Sequence, residues 1–357
     1  VIYKLSGVGR IITGCTPSTK KEDYYSNYGY PFITPAEVKN TRFCRTPARC
    51  VSEKAYYDYS KRFINARSVL VDCIGSDMGN ACLSTEICLT NQQINTITDI
   101  RSEIILPEFL YYQLSTMKEY FHSIGMNGST MPIISKSLFE NIEIDIPDID
   151  FQHHIVDILG SIDNSIENNE EEIKKINDFA LLLISQTDNK KTALKPYIKF
   201  IKGKKPVQNG TEKADYLSIE GISSSVYEQA YVDGMVMAAA FDILMVMDGA
   251  SSGTVYSHQS GIVSSTLAKI DTPADMNDYI YWFLLSMKDT IKSRNTGSAI
   301  PHANKDYISS LMIDTDIATN VSVREKLHTI RERIIALNAE NIKLRELKHL
   351  YLKKFFG

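Results

Sequence analysis

Between Phe151 and Gln186 apolar residues recur at alternating steps of four and three, a rhythm that suits one face of a long helix and neither a strand nor a loop. Ile155, Leu159, Ile162, Ile166, Ile173, Ile176, Ala180 and Leu183 make this seam, interrupted by Asn169. Such a helix needs a partner, and the C-terminus supplies one. Leu327, Ile330, Ile334, Leu337, Leu344, Tyr351 and Phe355 keep the same spacing, with polar Asn341 and Lys348 on the seam. Charge supports the pairing. Phe151 to Gln186 holds seven Asp/Glu against two Lys, and Ser322 to Gly357 nine Lys/Arg against four Glu, so the flanks of the helices attract.

Each helix closes a similar stretch of chain. At an offset of about 170 residues, Glu108-Phe-Leu-Tyr-Tyr-Gln-Leu falls on Asp278-Tyr-Ile-Tyr-Trp-Phe-Leu, and Gly128-Ser-Thr-Met-Pro on Gly297-Ser-Ala-Ile-Pro. Val69-Leu-Val-Asp-Cys-Ile-Gly matches Ile243-Leu-Met-Val-Met-Asp-Gly, and Pro31-Phe-Ile-Thr-Pro-Ala-Glu-Val sits where Asp215-Tyr-Leu-Ser-Ile-Glu-Gly-Ile does. Four blocks in the same order indicate an internal duplication. The expected plan is α+β: a mixed α/β domain over 1–150, a spacer helix over 151–187, a second α/β domain over 188–320 and a second spacer helix over 321–357. A helix of about 36 residues is about 54 Å long. To pair, the second helix runs back along the first, giving an antiparallel coiled coil with approximate two-fold symmetry, the arrangement by which dimeric DNA binders read two half-sites. Within the domains, strands are expected over Ser68 to Ile74, Ile87 to Ile97 and Ile142 to Ile146, and helices over Pro107 to His122 and Met276 to Lys292.

Bulk composition narrows the partners. The net charge of -4 hides basic stretches: twelve Lys/Arg against five acids from Val1 to Arg67, and seven lysines with no acid from Lys190 to Lys205. A phosphate backbone responds to such local patches. No apolar run of about 18 residues predicts a membrane span, and Val1-Ile-Tyr-Lys shows no leader pattern, so a cytoplasmic protein is expected. The six cysteines have no metal-ligand spacing and are expected as free thiols.

No enzyme motif emerges. Gly7-Val-Gly9-Arg-Ile-Ile12 fails the dinucleotide fingerprint at its last glycine, and no phosphate-binding loop with its Lys-Ser/Thr occurs. The chain lacks any Pro-Pro pair, and with it the Asn/Asp-Pro-Pro-aromatic motif of amino-methyltransferases. His153 and His154 are adjacent and not i, i+4, so they do not make a metal pair on one helix face. Neither catalytic residues, metal nor a cofactor of its own is expected.

Taken in order, Gly9-Arg-Ile-Ile-Thr-Gly-Cys-Thr-Pro-Ser, Pro31 to Val38, Thr90-Asn-Gln-Gln-Ile-Asn, the Gly128-Ser-Thr loop and Ile146-Pro-Asp-Ile-Asp-Phe-Gln running into the first helix resemble the DNA-specificity subunits of type I restriction-modification systems. The resemblance extends over the whole duplicated plan. It departs in the second half, where Asp314-Thr-Asp-Ile-Ala-Thr-Asn precedes the helix and Pro196 to Pro206 keeps only part of the opening motif. The resemblance implies two target recognition domains, each reading half of a bipartite asymmetric duplex, and helices that set the gap and bind two modification subunits. Those subunits would bring S-adenosylmethionine, and restriction subunits ATP and Mg. A coiled-coil scaffold whose end domains bind proteins is the competing reading.

For base readout the candidates are Asn91, Gln92 and Gln93, whose amides can pair with adenine, and the corresponding hydroxyls of Ser264, Ser265 and Thr266. Thr34, in the Pro31 block, is a further candidate for DNA contact. The loops Asn127, Gly128, Ser129, Thr130 and Gly297, Ser298 would bring backbone N–H groups near phosphate. Lys20, Lys21, Lys204, Lys205 and Arg294 are candidates for phosphate positioning. Tyr28, Tyr30, Tyr56, Tyr57 and Tyr59 suit stacking, although tyrosines so placed also serve packing.

Overall fold

The computed structural model describes residues 1–39, 41–44, 47–126, 132–185, 191–224, 226–297 and 299–357. Two helices dominate it, Ile149–Ser185 and Val321–Phe356. Gln186 lies outside the described residues. The chain divides into two compact units, one formed by Val1–Ile166 with Leu344–Gly357 and the other by Glu167–Lys343. Each unit therefore owns one end of each long helix.

In unit 1 the seam residues Ile155, Leu159, Ile162 and Ile166 are buried, and Tyr351, Leu352, Phe355 and Phe356 pack on the same core as Ile155 and Leu159. Phe151 meets Phe355 edge to face at 6.3 Å, and Lys348 Nζ donates to Asp163 Oδ1 at 2.7 Å. In unit 2 Ala180, Leu327, Ile330 and Ile334 share one core, with half-buried Ile173, Ile176 and Leu183 against it; Leu337 is also buried. Asn169 Nδ2 donates to Asn341 Oδ1 at 2.9 Å, and Glu172 takes Arg333 at 2.6 Å. Within each unit the two helices thus run antiparallel. The residues that interrupt the apolar rhythm are paired with each other or with an acid, as a buried polar group requires.

The two units share most of one topology. A short two-stranded sheet closes each, Ile2–Lys4 with Glu143–Asp145 and Lys191–Ala193 with Met312–Asp314. In unit 1 a five-stranded sheet follows the order Arg10–Thr13, Ile94–Thr98, Val69–Asp72, Ala81–Ser84, Phe43–Cys44. Unit 2 keeps the first four of these as Lys199–Lys202, Leu267–Asp271, Ile243–Val246, Val255–Tyr256. A second, four-stranded sheet in each contains one parallel pair, Tyr30–Ile33 with Leu89–Thr90 and Lys213–Leu217 with Gly261–Val263. Registers align Phe32 with Tyr216 and Leu89 with Ile262.

Four expectations need correction. The strand expected over Ile87 to Ile97 is two strands, because the Asn91 side chain accepts the Gln93 N–H at 3.0 Å and turns the backbone between them. The helix expected over Pro107 to His122 is Pro107–Ser115 followed by Lys118–Gly125, and that over Met276 to Lys292 is Asn277–Ser286 followed by Lys288–Ser293. Cys44 and Cys82 form a disulfide across neighbouring strands, while Cys15, Cys50, Cys73 and Cys88 are free. A pair 38 residues apart in sequence meets only once the sheet order is known.

Candidate nucleic-acid interface

Where the strand Arg10–Thr13 ends, the chain passes so close to the Asn91 turn that only glycine fits. A Cβ on Gly14 would overlap the carbonyl oxygens of Thr90 and Asn91, and a Cβ on Gly203 those of Val263 and Ser264. The bonds around both glycines correspond. Gly14 N–H donates to Ile94 at 3.1 Å and Gly203 N–H to Leu267 at 3.0 Å, while Cys15 and Lys204 donate to Thr90 and Val263 at 2.8 and 3.3 Å. The opening motif of the first half, Gly14-Cys-Thr-Pro, therefore has its counterpart in Gly203-Lys-Lys-Pro, and residues 91 to 93 correspond to 264 to 266. This turn is the best-defined shared feature of the two units.

On it the candidate readers divide. Asn91 is only 8% exposed, and its amide is spent on the turn, accepting from Gln93 N–H and donating to Gln93 Oε1 at 2.9 Å. Ser264 is 2% exposed and its hydroxyl faces that of Thr266 at 3.1 Å. Both side chains are buried and hold the turn. Gln92 is exposed; its Oε1 accepts from Thr16 Oγ1 at 2.6 Å, and among the described residues its Nε2 makes no hydrogen bond. The corresponding half-exposed Ser265 donates its backbone N–H to Tyr216 at 3.3 Å. Thr34 caps the helix Pro35–Val38, its N–H and hydroxyl both donating to Glu37 Oε2 at 2.9 and 2.6 Å.

The candidate cations are placed differently. Arg62, one of the cations of the basic stretch from Val1 to Arg67, donates to Thr13 O at 3.1 Å beside Gly14. Lys204 Nζ donates to Gly234 O at 2.6 Å, so part of its donor capacity is used, whereas exposed Lys205 has no ion pair among the described residues. Exposed Lys20 likewise has none, and Lys21 donates to the Tyr24 hydroxyl at 3.1 Å, which holds its ammonium above the usual range. Arg294 lies over the Tyr307 ring at 5.7 Å. Of the tyrosines, Tyr30 stacks on Tyr56 at 4.6 Å and Tyr59 meets Tyr24 edge-on, so these pack. Tyr28 and Tyr57 are 87% and 73% exposed.

The glycine loops are described only in part. Asn127, Gly128, Ser129, Thr130 and Ser298 lie outside the described residues. Gly297 has φ +89° and stands in a hairpin closed by Thr296 and His302, whose N–H groups donate to each other's carbonyls at 2.9 and 2.7 Å. Among the described residues no three His, Cys, Asp or Glu side chains cluster as metal ligands, and no helix is long and apolar enough to cross a membrane.

Comparison with known proteins follows the same lines. Residues 1–178 match the family model of the type I restriction modification DNA specificity domain. Over 184 residues the chain is 32% identical to the type I restriction enzyme HindI specificity subunit of Haemophilus influenzae, covering 50% of this chain and 39% of that one. Over 186 residues it is 29% identical to the type I restriction enzyme MjaIX specificity subunit of Methanocaldococcus jannaschii, covering 51% and 42%. The chain thus spans about two fifths of the length of these curated relatives. The crystal structure of a type I restriction-modification system S subunit from M. genitalium shares the fold, with TM-score 0.61 at 15% identity over 100% of this chain and 96% of that one. Motif order, duplicated topology and family match agree: the chain belongs to the type I restriction-modification DNA specificity family.

Proposed function

We propose that this chain reads a bipartite, asymmetric duplex, one unit per half-site, as the non-catalytic specificity subunit of a type I restriction-modification complex. The observation that carries the reading is the repeated glycine turn with unlike side chains at its exposed positions: Gln92 with Thr16 in unit 1, Ser265 with Lys205 in unit 2. One scaffold presenting different donors and acceptors reads different bases. Lys20, Lys205 and Arg62 supply phosphate contacts, which position without specifying.

The long helices serve modification subunits. Each carries an exposed apolar pair three residues apart near its C-terminal end, Phe179 with Leu182 and Leu347 with Leu350, all more than 40% exposed. Two copies of one partner would use two such sites. On this reading S-adenosylmethionine belongs to the modification subunits and ATP and Mg to restriction subunits, and the assembly works in the cytoplasm.

Mapping methylated adenines in cells that express the chain with its modification partner tests this. A motif with two unlike halves and a fixed gap is expected only when both are present. Gln92→Ala should relax one half alone, by a factor of about 5 to 150 in discrimination. No motif from a complex shown to assemble would instead favour a protein-binding scaffold.

A further inference from the structure

The internal repeat provides its own control at one position. An isolated backbone bridge joins Ile74 to Ile133 in unit 1 and Asp248 to His302 in unit 2. Its surroundings match: Gly75 N–H donates to Pro132 at 3.0 Å and Gly249 N–H to Pro301 at 2.9 Å, and Ile134 and Ala303 donate to Cys73 and Met247, both at 2.9 Å. Two isoleucines close this bridge in unit 1, so the polar set in unit 2 is not needed to close it.

That set is organised. His302 Nδ1 lies 2.8 Å from Asp248 Oδ1, and Lys202 Nζ lies 3.0 Å from Oδ2. A carboxylate only accepts, so Nδ1 carries the hydrogen, and among the described residues Nε2 makes no hydrogen bond. Burial raises the Asp248 carboxyl, but the bonds from His302 and Lys202 outweigh it and leave the group below its usual range. The His302 and Lys202 side chains are 49% and 53% exposed, and ion pairs so solvated add little to stability. His302 also closes the hairpin that holds Gly297.

We propose that His302, oriented by Asp248 and flanked by Lys202, is a DNA-contacting residue for the half-site read by unit 2. This rests on the proposed reading of DNA by both units. With Nδ1–H fixed, Nε2 accepts from a base amino group when neutral and donates to a base or phosphate oxygen when protonated. The corresponding Ile133, 48% exposed, offers unit 1 only an apolar surface.

The test transplants the unit 1 bridge, Asp248→Ile with His302→Ile, into the full chain expressed with its modification partner, and maps methylated adenines. The unit 1 half-site should stay intact. The other half should either lose discrimination at one or more positions by a factor of about 5 to 150, the sign of a base contact, or keep its letters with slower methylation, the sign of a phosphate contact. The wild-type motif at the wild-type rate would overturn the inference. If the wild-type chain yields no motif, the parent reading fails instead. Should the double variant lose both halves through misfolding, His302→Gln, which keeps the neighbouring charges, is read by the same criteria.

Discussion

His258 sits largely buried at φ +69°, edge-on to the Tyr281 ring, with its Nε2 unpartnered among the described residues. Burial first, and then the Arg331 charge, lowers its pKa from 6.5 to about 3. The unfolded chain therefore binds a proton that the folded one refuses between these values. Its contribution is fully present above pH 6.5 and is lost as pH falls, by about 2 kcal/mol at pH 5. His258→Asn, which tolerates the left-handed backbone, should narrow the gap between melting midpoints at pH 7.5 and 5; an unchanged gap refutes the assignment. Arg331 beside it is fully buried, bonded to Asn277, Asp278, Ser257 and the Phe241 carbonyl, and lies 4.6 Å over Tyr281. Neither residue was legible in the sequence. Arg331 adjoins Ile330 on the helix and reads there as a solvated flank; the groups that enclose it lie at least 50 residues away.

Among elements, the long helices were legible because a heptad rhythm is local and their polar exceptions were visible as exceptions. Their pairing of Asn169 with Asn341 needed the structure. The glycine turn was harder, since Gly14 and Gly203 are constrained by carbonyls some 60 to 80 residues downstream, and no spacing rule reaches that far. Gly203→Ala should cost about 1–3 kcal/mol of unit 2 stability by overpacking and weaken methylation through one half-site; Gly14→Ala should do the same through the other. Denaturant midpoints equal to wild type would show that the turn yields. Gln92 survived from sequence to structure as an exposed amide, whereas Asn91 and Ser264 did not, because the residue that bends a turn is also the one it buries.

For the whole molecule, the docking proposed for the exposed apolar pairs makes stoichiometry a readable quantity. Phe179→Ser with Leu182→Ser should reduce bound modification subunits from two to one in native mass spectrometry, with Leu347→Ser and Leu350→Ser removing the other. Two subunits retained in either variant would place docking elsewhere. The short closing sheets have a different consequence. Ile2 lies opposite Asp145, and Lys191 opposite Asp314, so each domain's chain enters and leaves at adjacent points, the exit just ahead of a long helix. A stretch anchored in that way is a cassette. On the proposed reading of DNA, exchanging one such stretch would change one half of the target and leave the other as it was.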